Sequence, residues 1–390
     1  MHLMQLLSKN RKNRTHLITV FTITAVVLAA ALPLLSQPSP NPANPTRQQG
    51  PILSPEITDD YRVTFRLHAP MADSVIVAGQ WPNGRASMAK DSAGLWSVTV
   101  GPVDPGVWEY SFVVDGLQMI DPGNSAIKPM RQPRTSILHL PGKPPLLHDF
   151  QDVPHGVVRQ HAYFSKSLGR MRELAVYTPP GYDRNTKEKY PTLYLQHGMG
   201  DNQATWTVHG KAHWILDNLI ARGLAKPMVV VMADGHADVR DQGFAGFLDN
   251  TVLFERDLLG DVVPFIEANY RVKAEAASRA ICGLSMGGLQ SLTIGLRHPD
   301  VFAWVGGFSA SPPPPNAIAG ALADREAVNA KLKLLWIASG KDDFLLERNK
   351  EFTALLEKRK IRHQWLLTEG NHSWPVWRNY LGEFAPVLFR

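Results

Sequence analysis

The sequence predicts two folded regions in series, a small all-β sandwich followed by a larger doubly wound α/β domain with a mostly parallel sheet. Three observations predict this. From Tyr61 onward come short segments rich in β-branched and aromatic residues (YRVTFRLHA, SVIVAG, LWSVTVG, WEYSFVVDG, TSILHL), bounded by Gly, Pro, Asp or Asn at sandwich spacing. Farther on, continuous apolar runs alternate with helical stretches, the pattern of a parallel sheet covered on both faces. With 44% hydrophobic and 19% charged residues, a chain of 390 can bury two cores.

The first 36 residues read as an export segment. Lys9, Arg11, Lys12 and Arg14 precede Leu17 to Leu35, a 19-residue run without charge. Cytoplasmic positive charge holds such an n-region inside while the apolar stretch enters the bilayer. Three threonines and Pro33 weaken the run as a permanent span, and Ala29-Ala30-Ala31 offers small residues for signal peptidase. The expectation is a cleaved signal and an exported protein, periplasmic or secreted. Retention of residues 17–35 as a membrane anchor is the alternative. Residues 37–51, with five prolines, read as an extended linker. Adding Arg47, these leading segments hold +5 of the formal +6, with no acidic residue, so the rest of the chain carries only +1. A nucleic-acid partner is therefore not expected. A single cysteine, Cys282, excludes an intrachain disulfide and reads as core.

Residues 52–141 fit one immunoglobulin-like sandwich, with Val63, Phe65 and Leu67 alternating against Thr64 and Arg66. Residues 142–390 carry the buried-type strands TLYLQHG, MVVVMADG, RAICGLS, WVGGFSA and KLLWIASG, with a last strand around Trp365-Leu366-Leu367. Helices are predicted over 211–223, 251–269, 287–298 and 344–359.

The segment RAICGLSMGGL holds G-x-S-x-G as Gly283-Leu284-Ser285-Met286-Gly287, between a strand and a helix. A serine on so tight a turn has its Oγ thrust above the sheet edge, and only small residues fit two before and two after it. Ser285 is the candidate nucleophile of an α/β hydrolase. Its hydroxyl needs a base and an orienting carboxylate, expected in the order Ser, Asp/Glu, His. Asp342 and Asp343 both follow the strand KLLWIASG, and spacing does not choose between them. His372 follows the last strand in a loop and is the candidate base; His363 precedes that strand, at the wrong end of the sheet. An oxyanion needs two backbone N–H donors. Met286 is one, and Met199 or Gly198, in the turn His197-Gly198-Met199-Gly200, is the other. Trp206, Trp374 and Trp377 lie on or near these loops, where flat aromatic surfaces suit a sugar or phenolic ring; Trp377 reads equally as core. Asp234 and His236 either line the cleft or order its loops. His209 and His213 are four apart on a predicted helix but lack a third ligand, so no metal and no cofactor are expected. Pro312 to Pro315 read as a stiffened loop on the same side.

On these motifs residues 155–390 resemble the carbohydrate esterase family of feruloyl and acetyl xylan esterases and enterochelin-esterase-like proteins, α/β hydrolases of the esterase D type. The resemblance lies in YFSKSLGRMRELAVYTPPGYD, YLQHGMGDNQATW, KPMVVVMADGHA, FERDLLGDVVPFIEANYRV, ICGLSMGGLQSL, SGKDDFL and GNHSWPVWR. It implies Ser285 as nucleophile, His372 as base, Asp343 as the acid three residues after Gly340, and oxyanion donors at Met199 and Met286. Gln196 departs from the pattern, standing where the family has an apolar residue. The segments VTFRLHAP, GLWSVTVGP, YSFVVDG and DPGN are similar to the immunoglobulin-like module, related to glycan-binding modules, that often precedes such esterases. The resemblance implies a serine esterase on feruloyl or acetyl esters of plant cell-wall polysaccharide. A siderophore esterase of the enterochelin type, an acyltransferase on the same fold, and a non-catalytic glycan-binding protein on a hydrolase scaffold are the alternatives.

Overall fold

In the computed structural model, which describes residues 52–238 and 246–390, Val63, Phe65 and Leu67 are buried while Thr64 and Arg66 are partly exposed, the alternation their sequence dictates. The export segment (1–36) and linker (37–51) lie outside the described residues. The strands of the N-terminal region are β1 (Glu56–Ile57), β2 (Val63–His68), β3 (Val75–Gly79), β4 (Arg85–Ser87), β5 (Ala89–Lys90), β6 (Leu95–Val100), β7 (Gly106–Val114), β8 (Leu117–Met119) and β9 (Ser136–Leu140). They form two antiparallel sheets, one in the order β1-β2-β6-β5 and one in the order β4-β3-β7-β8, with β9 paired to β7. Both sheets feed one apolar core, in which Phe65 stacks parallel to Trp81 and lies 4.8 Å from Tyr110.

The C-terminal region is organised around a sheet of eight strands among the described residues: β10 (Val157–Ser165), β11 (Arg170–Thr178), β12 (Thr192–Gln196), β13 (Val229–Ala233), β14 (Arg279–Leu284), β15 (Trp304–Phe308), β16 (Leu334–Gly340) and β17 (Gln364–Thr368). Their spatial order is β10-β11-β13-β12-β14-β15-β16-β17. The last six in sequence run parallel, as expected. The β10–β11 hairpin is antiparallel and makes the sheet mixed. Its charged residues, Arg159 on the edge strand β10 and Arg170 and Glu173 at the start of β11, mask the apolar run that marked the inner strands.

Helices cover both faces. They are α1 (Thr205–Val208), α2 (Ala212–Ala221), α3 (Phe247–Asp257), α4 (Val263–Asn269), α5 (Met286–Arg297), α6 (Ala319–Ala323), α7 (Arg325–Lys331), α8 (Leu346–Lys358) and α9 (Trp374–Phe384). Period-two burial divides the strands: Val176, Val231, Ile281 and Val305 pack toward α3, α4, α5 and α8, while Leu195, Val230, Cys282 and Phe308 pack toward α2 and α9. Cys282 is thus core, and burial drives its thiol pKa up. The single helix predicted over 251–269 is interrupted by a π-helical turn at Leu258–Val262, where the Val263 N–H reaches back to Leu258 O. Pro264 has no N–H for the carbonyl four residues back, which accounts for the widened turn beside it.

Candidate active site

Six parallel strands ending on one edge deliver the residues after β12, β13, β14, β15, β16 and β17 to the same crevice, where ligands of open α/β sheets bind. Ser285 follows β14 directly and caps α5. Its backbone adopts φ 52, ψ −113, a conformation L-residues avoid, and one that persists only where the surroundings enforce it. The enforcement is visible. Ser285 N–H donates to Phe308 O at 3.0 Å, and Ser285 O accepts from Leu289 N–H and Ser311 N–H, each at 3.1 Å. A Cβ on Gly287 would stand 2.4 Å from His197 O, and one on Gly283 2.6 Å from Gly287 O, so the small residues on either side of the serine are a steric necessity. The α5 N-terminus points its dipole at this corner.

After β16, Asp343 is buried, while Asp342 is exposed. After β17, His372 turns its Nδ1 onto Asp343, 3.0 Å from each carboxylate oxygen. Burial works against the Asp343 carboxylate, yet hydrogen bonding from His372, aided by the Leu345 N–H at 2.8 Å, outweighs it and holds the pKa below the ordinary carboxylate value. The choice that spacing left open therefore falls on Asp343 as the partner of His372. The Ser285 hydroxyl makes no side-chain hydrogen bond among the described residues. Such contacts commonly tighten only with substrate in place. His363 lies before β17, at the opposite end of that strand, with Nδ1 3.0 Å from Ile361 O.

The N–H groups of Met286 and Met199 have no hydrogen-bond acceptor among the described residues. The turn carrying Met199 is clamped by two histidines. Gly235 N–H donates to His197 Nε2 at 2.8 Å, which assigns the ring proton to Nδ1, where it donates to Gly198 O at 2.8 Å. Gly200 N–H donates to His236 Nε2 at 3.1 Å. Of the two roles open to Asp234 and His236, ordering this loop is visible, and both residues also line a cavity with Arg131, Arg170 and Glu173. Gln196 beneath is fully buried, and its side-chain amide finds no partner among the described residues.

Two expected substrate contacts are corrected. Trp206 and Trp374 are 1% and 3% exposed, and meet edge to face with ring centroids 4.9 Å apart. Trp206 Nε1–H donates to Gln196 O at 3.0 Å. Their large apolar area is more favourably buried against Phe308 and Trp377 than left at a loop surface. Trp206→Ala is expected to cost about 3–5 kcal/mol, read as a lowered denaturant midpoint. The exposed ring beside the site is one that sequence reasoning missed, Phe344, 66% exposed with its centroid 4.5 Å from His372. Its only sequence signal was adjacency to Asp343. His209 does not turn to His213; its ring Nε2 accepts from Arg378 at 3.2 Å. Pro312 and Pro313 are buried behind Ser311, on the expected side of the sheet.

Comparison with known proteins follows the same lines. The chain is 36% identical over 358 residues to an endo-1,4-beta-xylanase/feruloyl esterase of Xylanibacter ruminicola, an alignment covering 90% of this chain and 47% of that protein. It therefore spans about half the length of that relative. Among solved structures, a ferulic acid esterase at 28% identity superposes with a TM-score of 0.51 over 60% of this chain and 97% of its own. The ferulic acid esterase of Anaeromyces mucronatus does so at 25% identity, with a TM-score of 0.53 over 62% and 93%. The enterobactin esterase of Shigella flexneri, at 19% identity, shares the fold with a TM-score of 0.59 over 83% and 92%. Residues 165–386, which hold the strained serine, the Asp343–His372 pair and the Met199 and Met286 amides, match the family described as "Putative esterase", and the chain belongs to that esterase family.

Proposed function

We propose that this chain is a serine carboxylic-ester hydrolase working through an acyl-enzyme, on feruloyl or acetyl esters of plant cell-wall polysaccharide. The observation that carries the reading is Ser285 held at φ 52 on the same sheet edge as the paired His372 and Asp343. His372 Nε2 takes the proton from Ser285 Oγ as it attacks the ester carbonyl. The N–H groups of Met199 and Met286 receive the tetrahedral oxyanion, and the imidazolium protonates the departing alkoxide. Water then attacks the acyl-enzyme by the same route in reverse. Asp343 keeps the ring proton on Nδ1 and compensates the charge that develops on the imidazole. The strain stored at Ser285 serves to present Oγ at one fixed position.

The feruloyl choice draws support from the 36% identical relative, whose name couples xylanase and feruloyl esterase. Phe344 adds to it, since an exposed ring beside His372 suits a phenolic acyl group. In the same reading residues 52–141 are an immunoglobulin-like domain, 142–390 the esterase domain, and 1–36 the export segment. No helix among the described residues is long and apolar enough to cross a membrane. A fluorophosphonate probe is expected to label Ser285, and a feruloylated xylan oligosaccharide to release ferulate faster than acetylated xylan releases acetate. Absence of labelling would reduce the chain to a hydrolase scaffold without catalysis, and preferential acetate release would replace the feruloyl assignment.

A further inference from the structure

A buried ionic contact joins the N-terminal β-rich region to the turn that carries the Met199 amide. Lys128, between β8 and β9, is 6% exposed. Its Nζ lies 3.0 Å from Glu109 Oε1 on β7 and 3.1 Å from Asp201 Oδ1, immediately after the His197–Gly200 turn. Each of these side chains is at most 8% exposed. The neighbouring backbone repeats the attachment. Arg131 N–H donates to Gly200 O at 2.9 Å, Met130 bridges Asp201 as in a strand pair, and Thr205 Oγ1–H donates to Pro129 O at 2.6 Å. Four consecutive residues, 128–131, thus hold the segment 200–205 from outside, while His197 and His236 hold the same turn from inside.

The contact reaches the other half of the site as well. Arg378, on the helix that begins two residues after His372, donates to His209 O at 2.9 Å, and the charge of Glu109 favours its buried guanidinium. Lys128 and Arg378 balance Glu109 and Asp201, so the cluster is close to neutral only while every member is present. Removing one cation leaves two carboxylates buried side by side, and burial already opposes the Asp201 charge. A turn with glycines at 198 and 200 has little stiffness of its own.

We propose that the N-terminal β-rich region is a positioning element of the active site, in which Lys128 and its neighbours fix the turn that aims the Met199 N–H at the oxyanion. On this reading it is not an independently tethered glycan-binding module. Four ties from residues 128–131 fall on segment 200–205, which adjoins the Met199 amide. The proposal rests on the serine esterase reading above.

Lys128→Met keeps the aliphatic stem and deletes the charge. With p-nitrophenyl acetate, a soluble ester offering no polysaccharide, kcat is expected to fall about 10- to 100-fold, as for an oxyanion donor displaced by a fraction of an ångström. KM should stay within about twofold, and Lys128→Arg should restore part of the loss. Full kcat with a lowered Tm overturns the proposal, as does unchanged kcat with lost affinity for xylan. Should Lys128→Met not be recovered folded, Thr205→Val removes the tie to Pro129 O, together with the bond that the same oxygen accepts from Asn202 N–H at 3.1 Å. It is expected to lower kcat about 3- to 10-fold, and unchanged kcat there overturns the proposal too. Ser285→Ala assayed alongside separates the two readings, since activity surviving in that variant removes the serine mechanism whatever Lys128 does.

Discussion

Replacement of Ser285 by alanine is expected to lower kcat toward p-nitrophenyl acetate by about 10⁴- to 10⁶-fold while leaving the protein folded. On the proposed mechanism the hydroxyl is the attacking group, and Ser309, beside it in register, is fully buried and cannot substitute for it. The fold loses nothing with it, because Ser285 is held through its backbone N–H and C=O, and its Oγ has no side-chain partner among the described residues. Alanine suffers the same φ 52 as serine, so the elbow should stay as strained as before. Glycine does not, and Ser285→Gly should be equally inactive yet more stable than Ser285→Ala by about 1 kcal/mol, measured by urea unfolding. That pair of variants separates strain from chemistry. Activity within tenfold of the parent in either one would remove Ser285 as nucleophile.

Legibility followed how local each signal was. The elbow was readable because Gly283, Ser285 and Gly287 express one tight turn, whose crowding is confined to neighbours in the sequence and the adjoining His197 turn. The inner parallel strands were readable because burial on both faces forces unbroken apolar runs. The β10–β11 hairpin was missed because β10 is an edge strand that tolerates Arg159 and because Arg170, Arg172 and Glu173 open β11 ahead of its apolar half. Whether a tryptophan beside a loop faces in or out depends on what the other strands leave open. Trp206 and Trp374 therefore looked like substrate platforms, although Phe308 and Trp377 enclose them. Phe344, one residue beyond Asp343, kept its ring outside and gave no sign of it. The Lys128–Asp201 contact was out of reach altogether, since it joins a loop of one region to a turn of the other and neither segment carries a pattern that names its partner.

Asp343→Asn is expected to lower kcat about 10⁴-fold at neutral pH with KM little changed. The carboxylate only accepts hydrogen bonds, so His372 Nδ1, 3.0 Å from both oxygens, must carry the proton and Nε2 is left free to take one from Ser285. An asparagine side chain can donate its amide N–H to Nδ1. The ring then holds its proton on Nε2, where it can no longer act as a base, and the imidazolium formed during attack loses the negative charge beside it. Asp342→Asn makes the control, because that side chain is exposed and should leave kcat within about twofold. The same substitution has a signature in stability. Asp343 has a folded pKa below its ordinary value of 3.8, so its contribution is fully present above about pH 4–5 and is lost as pH falls through the folded value. Parent and Asp343→Asn should therefore differ in Tm at pH 7, and the gap should shrink as pH falls below 3.8. A gap that widens in acid would mean that the carboxyl is not held ionised by His372, and the orienting role would fall with it.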